Sequence, residues 1–185
     1  MISKKINKAD GVLAVGSNAK KMYSKYNKNT INFPYSIKTQ KQNKKNYFNN
    51  KKINFLFVGQ LIERKGLYFI IKAFSLLTLK EREKIKLNIV GEGNLKKKLK
   101  KFVKTNKYAH YYGFQYGKRL EKIYERSDVL IFPSVFDGWG VVPMEAMSQS
   151  LSLILSKNAG VTEIIEHKKN GYIIDSETNS LLKAI

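Results

Sequence analysis

Few folds can accommodate the pattern that begins at Ile53. Ile53–Val58 is a nearly continuous apolar run, Gly59 to Gly66 forms a loop, and Leu67, Ile70, Ile71 and Phe74 then recur at helical spacing. A strand apolar along its whole length is one buried on both faces, as in the centre of a parallel sheet. A helix with one apolar stripe packs that stripe on the sheet. The unit then repeats. Ile85–Val90 is a second strand, closed by Gly91-Glu92-Gly93, and Leu95, Leu99, Phe102 and Val103 mark an amphipathic helix. Tyr108–Tyr112, Val129–Phe132, Leu151–Leu155 and Tyr172–Ile174 read as further strands. Helices are expected around Leu120, Ile123 and Tyr124, over Val141–Ser148 and Thr162–His167, and from near Ser176 onward. This alternation predicts an α/β domain, a Rossmann-like parallel sheet with helices on both faces. Ligands of such sheets bind beyond the carboxyl ends of the strands. The loops after Val58, Val90, Tyr112 and Phe132 are therefore where a site is expected.

Upstream, Ala9–Val15 reads as a short strand, with Ser17 placed to cap a helix over Ala19–Tyr26. Ile31–Ile37 follows, and then Lys38–Lys52, a run of Lys, Asn and Gln with the composition of a linker. The expected organisation is one segment over 1–37, a polar linker over 38–52, and a domain over 53–185.

The chemistry concentrates between Ile131 and Met147. Here a strand runs through Asp137-Gly138-Trp139-Gly140-Val141 into a helix, with Glu145 eight residues after Asp137. Glycines let the backbone approach a ligand closely. The amides at the helix start, aided by the helix dipole, suit an anion. Pro143 in the first turn removes only an N–H that has no partner within the helix. Glu145, one turn in, can reach hydroxyl groups. Donors for phosphate and acceptors for sugar hydroxyls thus lie within one short segment.

Pro133-Ser134 followed by Asp137-Gly-Trp-Gly-Val-Val-x-x-Glu145-Ala-Met resembles the acidic-x7-Glu signature of GT-B-fold glycosyltransferases of family 4, with Asp in place of the usual first Glu. Val58-Gly59-Gln60-Leu61-Ile62-Glu63-Arg64-Lys65-Gly66 resembles the family's Gly-Arg-Leu-x-x-x-Lys-Gly loop, with Gln60 where Arg is usual. Gly91-Glu92-Gly93 and Gly113-Phe114-Gln115 resemble the loops that follow the next two strands, and Gly160–Tyr172 resembles the family's closing turn, helix and strand. The resemblance implies the C-terminal, donor-binding half of a GT-B fold, with 1–37 a remnant of the acceptor domain and the last helix cut short. It implies retaining transfer from a nucleoside-diphosphate sugar, in cell-surface polysaccharide or glycolipid synthesis, with no metal or other cofactor. Lys65 and Arg64 would hold the diphosphate and Gly138, Trp139, Gly140 and Val141 would supply backbone donors. Asp137 would touch the sugar and Glu145 the ribose, with Gly59, Gln60, Gly91 and Phe114 completing the donor site. The acceptor, a glycan or lipid-linked sugar, would come through a missing N-terminal domain. This chain alone would bind donor without turnover, and its orphaned Val12, Leu13 and Val15 would promote association. The alternative is a non-catalytic nucleotide-sugar-binding or partner subunit.

Other classes fit poorly. No Gly-x-Gly-x-x-Gly, Walker A or Gly-x-Ser-x-Gly motif occurs, His110 and His167 are not in metal-ligand spacing, and Cys is absent. The formal charge of +21 comes from 35 basic residues, all Lys except Arg64, Arg82, Arg119 and Arg126. Lys accompanied by abundant Asn, Ile, Tyr and Phe is what A/T-rich codons produce. An anionic membrane surface is the functional alternative, and scarce Arg argues against nucleic acid. No apolar run is long enough to cross a bilayer, so the expected location is cytoplasmic, with peripheral contact at the inner membrane face.

Overall fold

Residues 2–37 and 52–185 are described by the structure, a computed structural model. The expected linker, apart from Lys52, lies outside the described residues. In chain order the strands are β1 (Val12–Ala14), β2 (Thr30–Asn32), β3 (Ile53–Val58), β4 (Ile85–Val90), β5 (Ala109–Tyr111), β6 (Val129–Phe132), β7 (Ser152–Ser156) and β8 (Tyr172–Ile174). The α-helices are α1 (Ile2–Asn7), α2 (Ser17–Tyr23), α3 (Leu67–Leu76), α4 (Leu79–Glu83), α5 (Lys96–Thr105), α6 (Gly117–Glu125), α7 (Val141–Ser148) and α8 (Thr178–Ala184).

Six strands form one sheet in the order β5-β4-β3-β6-β7-β8, every pair parallel. The period-2 alternation of side chains divides the core in two. Phe55, Phe57, Leu87 and Ile89 face α3, α5 and α8 through Ile70, Phe74, Leu99 and Leu181. Leu56, Val58, Leu130, Phe132 and Leu155 face α6 and α7 through Tyr124 and Ala146. The strand order reverses between β3 and β6, since β4 and β5 extend to one side and β7 and β8 to the other. Loops leaving β3 and β6 therefore open into one crevice, the position at which such sheets take ligands.

Residues 2–37 form a separate unit, with β1 and β2 in a parallel pair of their own. Its helix begins earlier than the sequence suggests, and Ser17 is not its cap. Gly16 occupies that position, no side chain of the segment caps it, and the Ser17 amide instead donates to Glu163 Oε2 at 2.7 Å. The expected helix over Thr162–His167 is a 3-10 turn over Gly160–Ile164, after which His167 bridges to Gly171. Of the three residues expected to be exposed upstream, Leu13 is exposed, while Val12 and Val15 are half-buried.

Candidate functional site

The loop after β3 ends in a 3-10 turn, Glu63–Lys65, stopped by Gly66 in the left-handed region at φ 74°. Gly66 lies against the loop after β6, where a Cβ would stand 2.1 Å from the Pro133 carbonyl oxygen. Val135 N–H donates to the Arg64 carbonyl at 2.8 Å, so the two loops are joined through their backbones. This contact delivers Lys65 to the mouth of the crevice. Its ammonium donates to Asp137 Oδ2 at 2.5 Å and stands 5.5 Å from the centre of the Phe132 ring. Arg64 turns the same way, its Nη1 donating to the Phe136 carbonyl at 2.8 Å, with Asp137 Oδ2 at 3.9 Å.

Asp137 is fixed by its own backbone. Its N–H donates to the Asn158 carbonyl and its carbonyl accepts from Gly160 N–H, a single bridge laid beside Ala159. Gly138 then faces open space, with nothing within 4 Å of a hypothetical Cβ. Gly140, at φ 95°, turns the chain into α7 without any side-chain cap. The first-turn amides of a helix have no partner within it, and here they border a hollow of about 390 Å³ lined by Lys65, Phe132 and Asp137–Val142. A lysine, an arginine at the rim, and the positive end of a helix thus converge on one small space, with a carboxylate at its edge.

Trp139 contributes backbone to this wall, but its side chain is buried. The indole N–H donates to Met144 Sδ at 2.9 Å, and the ring lies so close to Gly16 that a Cβ there would be 2.9 Å away. With the Ser17–Glu163 bond, this joins residues 2–37 to the loop before α7 and to the 3-10 turn at Gly160–Ile164.

Glu145 lies outside that hollow. It points into the groove between α6 and α7, where the Tyr124 hydroxyl donates to its Oε2 at 2.8 Å. Burial first, and then the negative charge of Glu145, push the Tyr124 phenol well above its ordinary value. A hollow of about 270 Å³ here is lined by both residues together with Ile37 and Gln149, whose buried Oε1 has no hydrogen-bond partner among the described residues. Tyr124 reads in sequence as one more member of an apolar stripe. Its hydroxyl is the one signal of a polar role.

The remaining candidates stand elsewhere. Gly59 and Gly91 support the loops, since a Cβ on Gly91 would stand 1.8 Å from the Gly59 carbonyl oxygen. Gln60 is exposed and does not line the hollow at α7. Phe114 is 66% exposed and stacks on Tyr116, with ring centroids 6.0 Å apart. Among the described residues no three His, Asp or Glu side chains gather so as to hold a metal ion.

A family model described as glycosyl transferases group 1 matches residues 38–185. An uncharacterized glycosyltransferase of Methanocaldococcus jannaschii, MJ1607, is 34% identical over 144 residues, which cover 76% of this chain and 34% of that protein. The apo lipopolysaccharide outer core galactosyltransferase WaaB superposes with a TM-score of 0.78 at 19% identity, covering 96% of this chain and 53% of that one. Anabaena HepE in complex with UDP and glucose gives 0.77 at 16% identity, covering 95% and 52%. At these identities the likeness to the solved structures concerns the fold. The chain thus spans about a third of MJ1607 and about half of each solved structure.

Proposed function

The chain belongs to the glycosyl transferases group 1, and from that premise we propose that its 53–185 domain binds a nucleoside-diphosphate sugar and presents it for transfer. The observation that carries this reading is the convergence of Lys65, Asp137 and the uncapped start of α7 on one hollow at the crevice. The diphosphate would lie against the Gly138–Val142 amides with Lys65 on its oxygens. As the bond from the sugar to phosphate breaks, negative charge grows on the departing oxygen. Fixed donors aimed at that oxygen lower the barrier because they need no reorganisation when the charge appears. Arg64 at the rim would add to that field, and Asp137 would accept from sugar hydroxyls. Glu145 would take the ribose from the neighbouring groove, with the Phe114 loop toward the base.

The UDP named for HepE supports the choice of nucleotide, and the matched signature supports retention of configuration. Transfer by this set of groups would need no metal. The acceptor, a glycan or a lipid-linked sugar, would be held by a portion the relatives have beyond this match, in polysaccharide or glycolipid synthesis. Titration calorimetry with UDP and GDP tests the donor site. Binding of one of them, weakened by Lys65→Ala, is expected. A folded sample that binds neither would refute the assignment.

A further inference from the structure

Away from the crevice, the β4–β5 edge carries a second concave surface. Asn88 and His110 are register partners on neighbouring strands, and with Lys86 they lie on the sheet face opposite the buried Leu87 and Ala109. They border an open groove of about 780 Å³, whose other walls include Lys52, Lys107 and Tyr108. A smaller hollow of about 220 Å³ adjoins it, and Asn88 and Tyr112 line both. Its far wall is α6 with its C-cap residue, together supplying Arg119, Lys122 and Arg126. Residues spaced i, i+3 and i+7 share one helix face, and all three are exposed.

The charge here is sorted. Among the described residues, six cations line the two hollows against one carboxylate, Glu83, and the Glu121 of α6 lines the hollow at Glu145 instead. Codon bias that multiplies Lys does not explain why two of the chain's four arginines stand together in this stripe. Arginine presents a planar fork that matches carboxylate or phosphate geometry.

The rings narrow the ligand class. The Lys52 and Lys107 ammonium groups each lie 5.2 Å from the centre of the Tyr108 ring, and Tyr112 meets His110 edge-on at 4.3 Å. Single-stranded nucleic acid binds by stacking successive bases on free ring faces, and here lysines hold the Tyr108 ring while His110 sits against Tyr112. Carboxylates carried on a sugar ring reach the cations without needing a ring face. We propose that this groove is a second binding site, for an anionic glycan bearing carboxylates on its rings. The choice of a glycan rests on the glycosyltransferase reading, but the groove shares no lining residue with the hollow at α7 or with the one at Glu145.

The test uses the 185-residue chain and three probes: a labelled short oligogalacturonate, a neutral malto-oligosaccharide of equal length, and oligodeoxythymidine. Two variants of equal charge change are compared, Lys86→Glu/Arg119→Glu/Arg126→Glu in the groove and Lys97→Glu/Lys101→Glu/Lys104→Glu on α5. The groove variant should lose oligogalacturonate affinity about tenfold, while the α5 variant loses less than about threefold, because bulk electrostatic attraction responds to net charge and not to position. If the glutamates disturb folding, glutamine at the same groove positions should give a smaller loss in the same direction. Equal losses in both variants, equal binding of the neutral oligosaccharide, tighter binding of oligodeoxythymidine with the same sensitivity, or no oligogalacturonate binding would each overturn the proposal. UDP is titrated in parallel. Its failure to bind would fall on the donor reading, while its retention in the groove variant shows that only the second site was lost.

Discussion

Lys65 and Asp137, 72 positions apart in the chain, close an ion pair at 2.5 Å with side chains only 17% and 13% exposed. If Lys65 holds the diphosphate, the ligand must draw it away from Asp137, which already neutralises it. Asp137→Asn should therefore tighten UDP binding while lowering the melting temperature of the free protein, because it leaves a shielded ammonium without its counter-charge. Lys65→Ala should weaken UDP by about 1.5–3 kcal/mol, the range for a charge-assisted hydrogen bond. Calorimetry and thermal melts check both, and weaker UDP binding by Asp137→Asn would mean that the pair does not compete with the ligand.

Two glycines of the site should separate fold from function. Gly66 combines φ 74° with a Cβ position 2.1 Å from the Pro133 oxygen. Gly66→Ala should cost more than the ~1–3 kcal/mol of backbone strain alone, since the loops must also move apart. Gly138 has open space around its Cβ position and no left-handed φ. Gly138→Ala should leave the melting temperature unchanged and weaken UDP, because the added methyl intrudes only when phosphate lies there. A stability loss at Gly138 equal to that at Gly66 would contradict this division.

The Tyr124 hydroxyl fixes the Glu145 carboxylate at 2.8 Å in the groove beside α7. With its phenol pushed upward by burial and by Glu145, Tyr124 keeps its proton throughout the neutral range and remains a donor. If Glu145 holds the ribose, Tyr124→Phe should weaken UDP by about 0.5–1.5 kcal/mol, the ordinary worth of one hydrogen bond. Inorganic pyrophosphate, which has no ribose, should bind Tyr124→Phe and the parent chain alike. Equal weakening of both ligands would assign Tyr124 to packing.

The sheet was legible because β3, apart from Asn54, and β6 are apolar, so burial of their central residues on both faces follows from the sequence alone. The lysine loop and the Gly-x-Gly turn were legible for a related reason: each is punctuated by glycines at the end of such a strand. What escaped depends on distant partners. The Ser17 amide is satisfied by Glu163, 146 positions away, so local capping preference pointed to the wrong group. Thr162–His167 carries helical spacing, but the Asp137 and Trp139 carbonyls accept from the Gly160 and Val161 N–H groups and hold the segment in a tighter turn. The helix α4 had a readable signal, the Thr78–Glu81 capping box. Arg64 is expected beside Lys65 by sequence, but the direction of its side chain is set by a distant partner, the Phe136 carbonyl of the loop after β6.

The charge of the chain makes a separate prediction. The helix α5 exposes Lys97, Lys98, Lys100, Lys101 and Lys104 and carries no acidic residue. Each lysine near an anionic bilayer is worth about 1 kcal/mol, within a Debye length of the surface. Vesicles containing phosphatidylserine should therefore pellet the protein at low salt and release it as salt rises, while neutral vesicles should not pellet it. Lys97→Glu with Lys101→Glu should abolish pelleting. Equal recovery with both vesicle types would leave the lysines as a solvated face.

Salt should act in the opposite sense on contacts between copies of the chain. Leu13 and Ile31 are register partners in the β1–β2 pair and are 62% and 52% exposed, with Phe33 nearby in sequence at 58%. Parallel strands are ordinarily covered on both faces. Here α2 packs on the pair, Ala14 and Thr30 are buried, and Leu13 and Ile31 face outward. Burying one such side chain contributes about 1.5–3 kcal/mol, so a shared contact across this face favours association. A net charge of +21 opposes it by repulsion between copies. Screening that repulsion should raise the associated fraction with salt, whereas the same salt removes the protein from vesicles. Sedimentation velocity across a concentration and salt series reads this directly. Leu13→Ser with Ile31→Thr should return the protein to monomer at every salt concentration and leave UDP binding intact, because neither residue lines the crevice. A parent chain that stays monomeric as salt rises, or a variant that associates as strongly, would show that this face does not drive self-association.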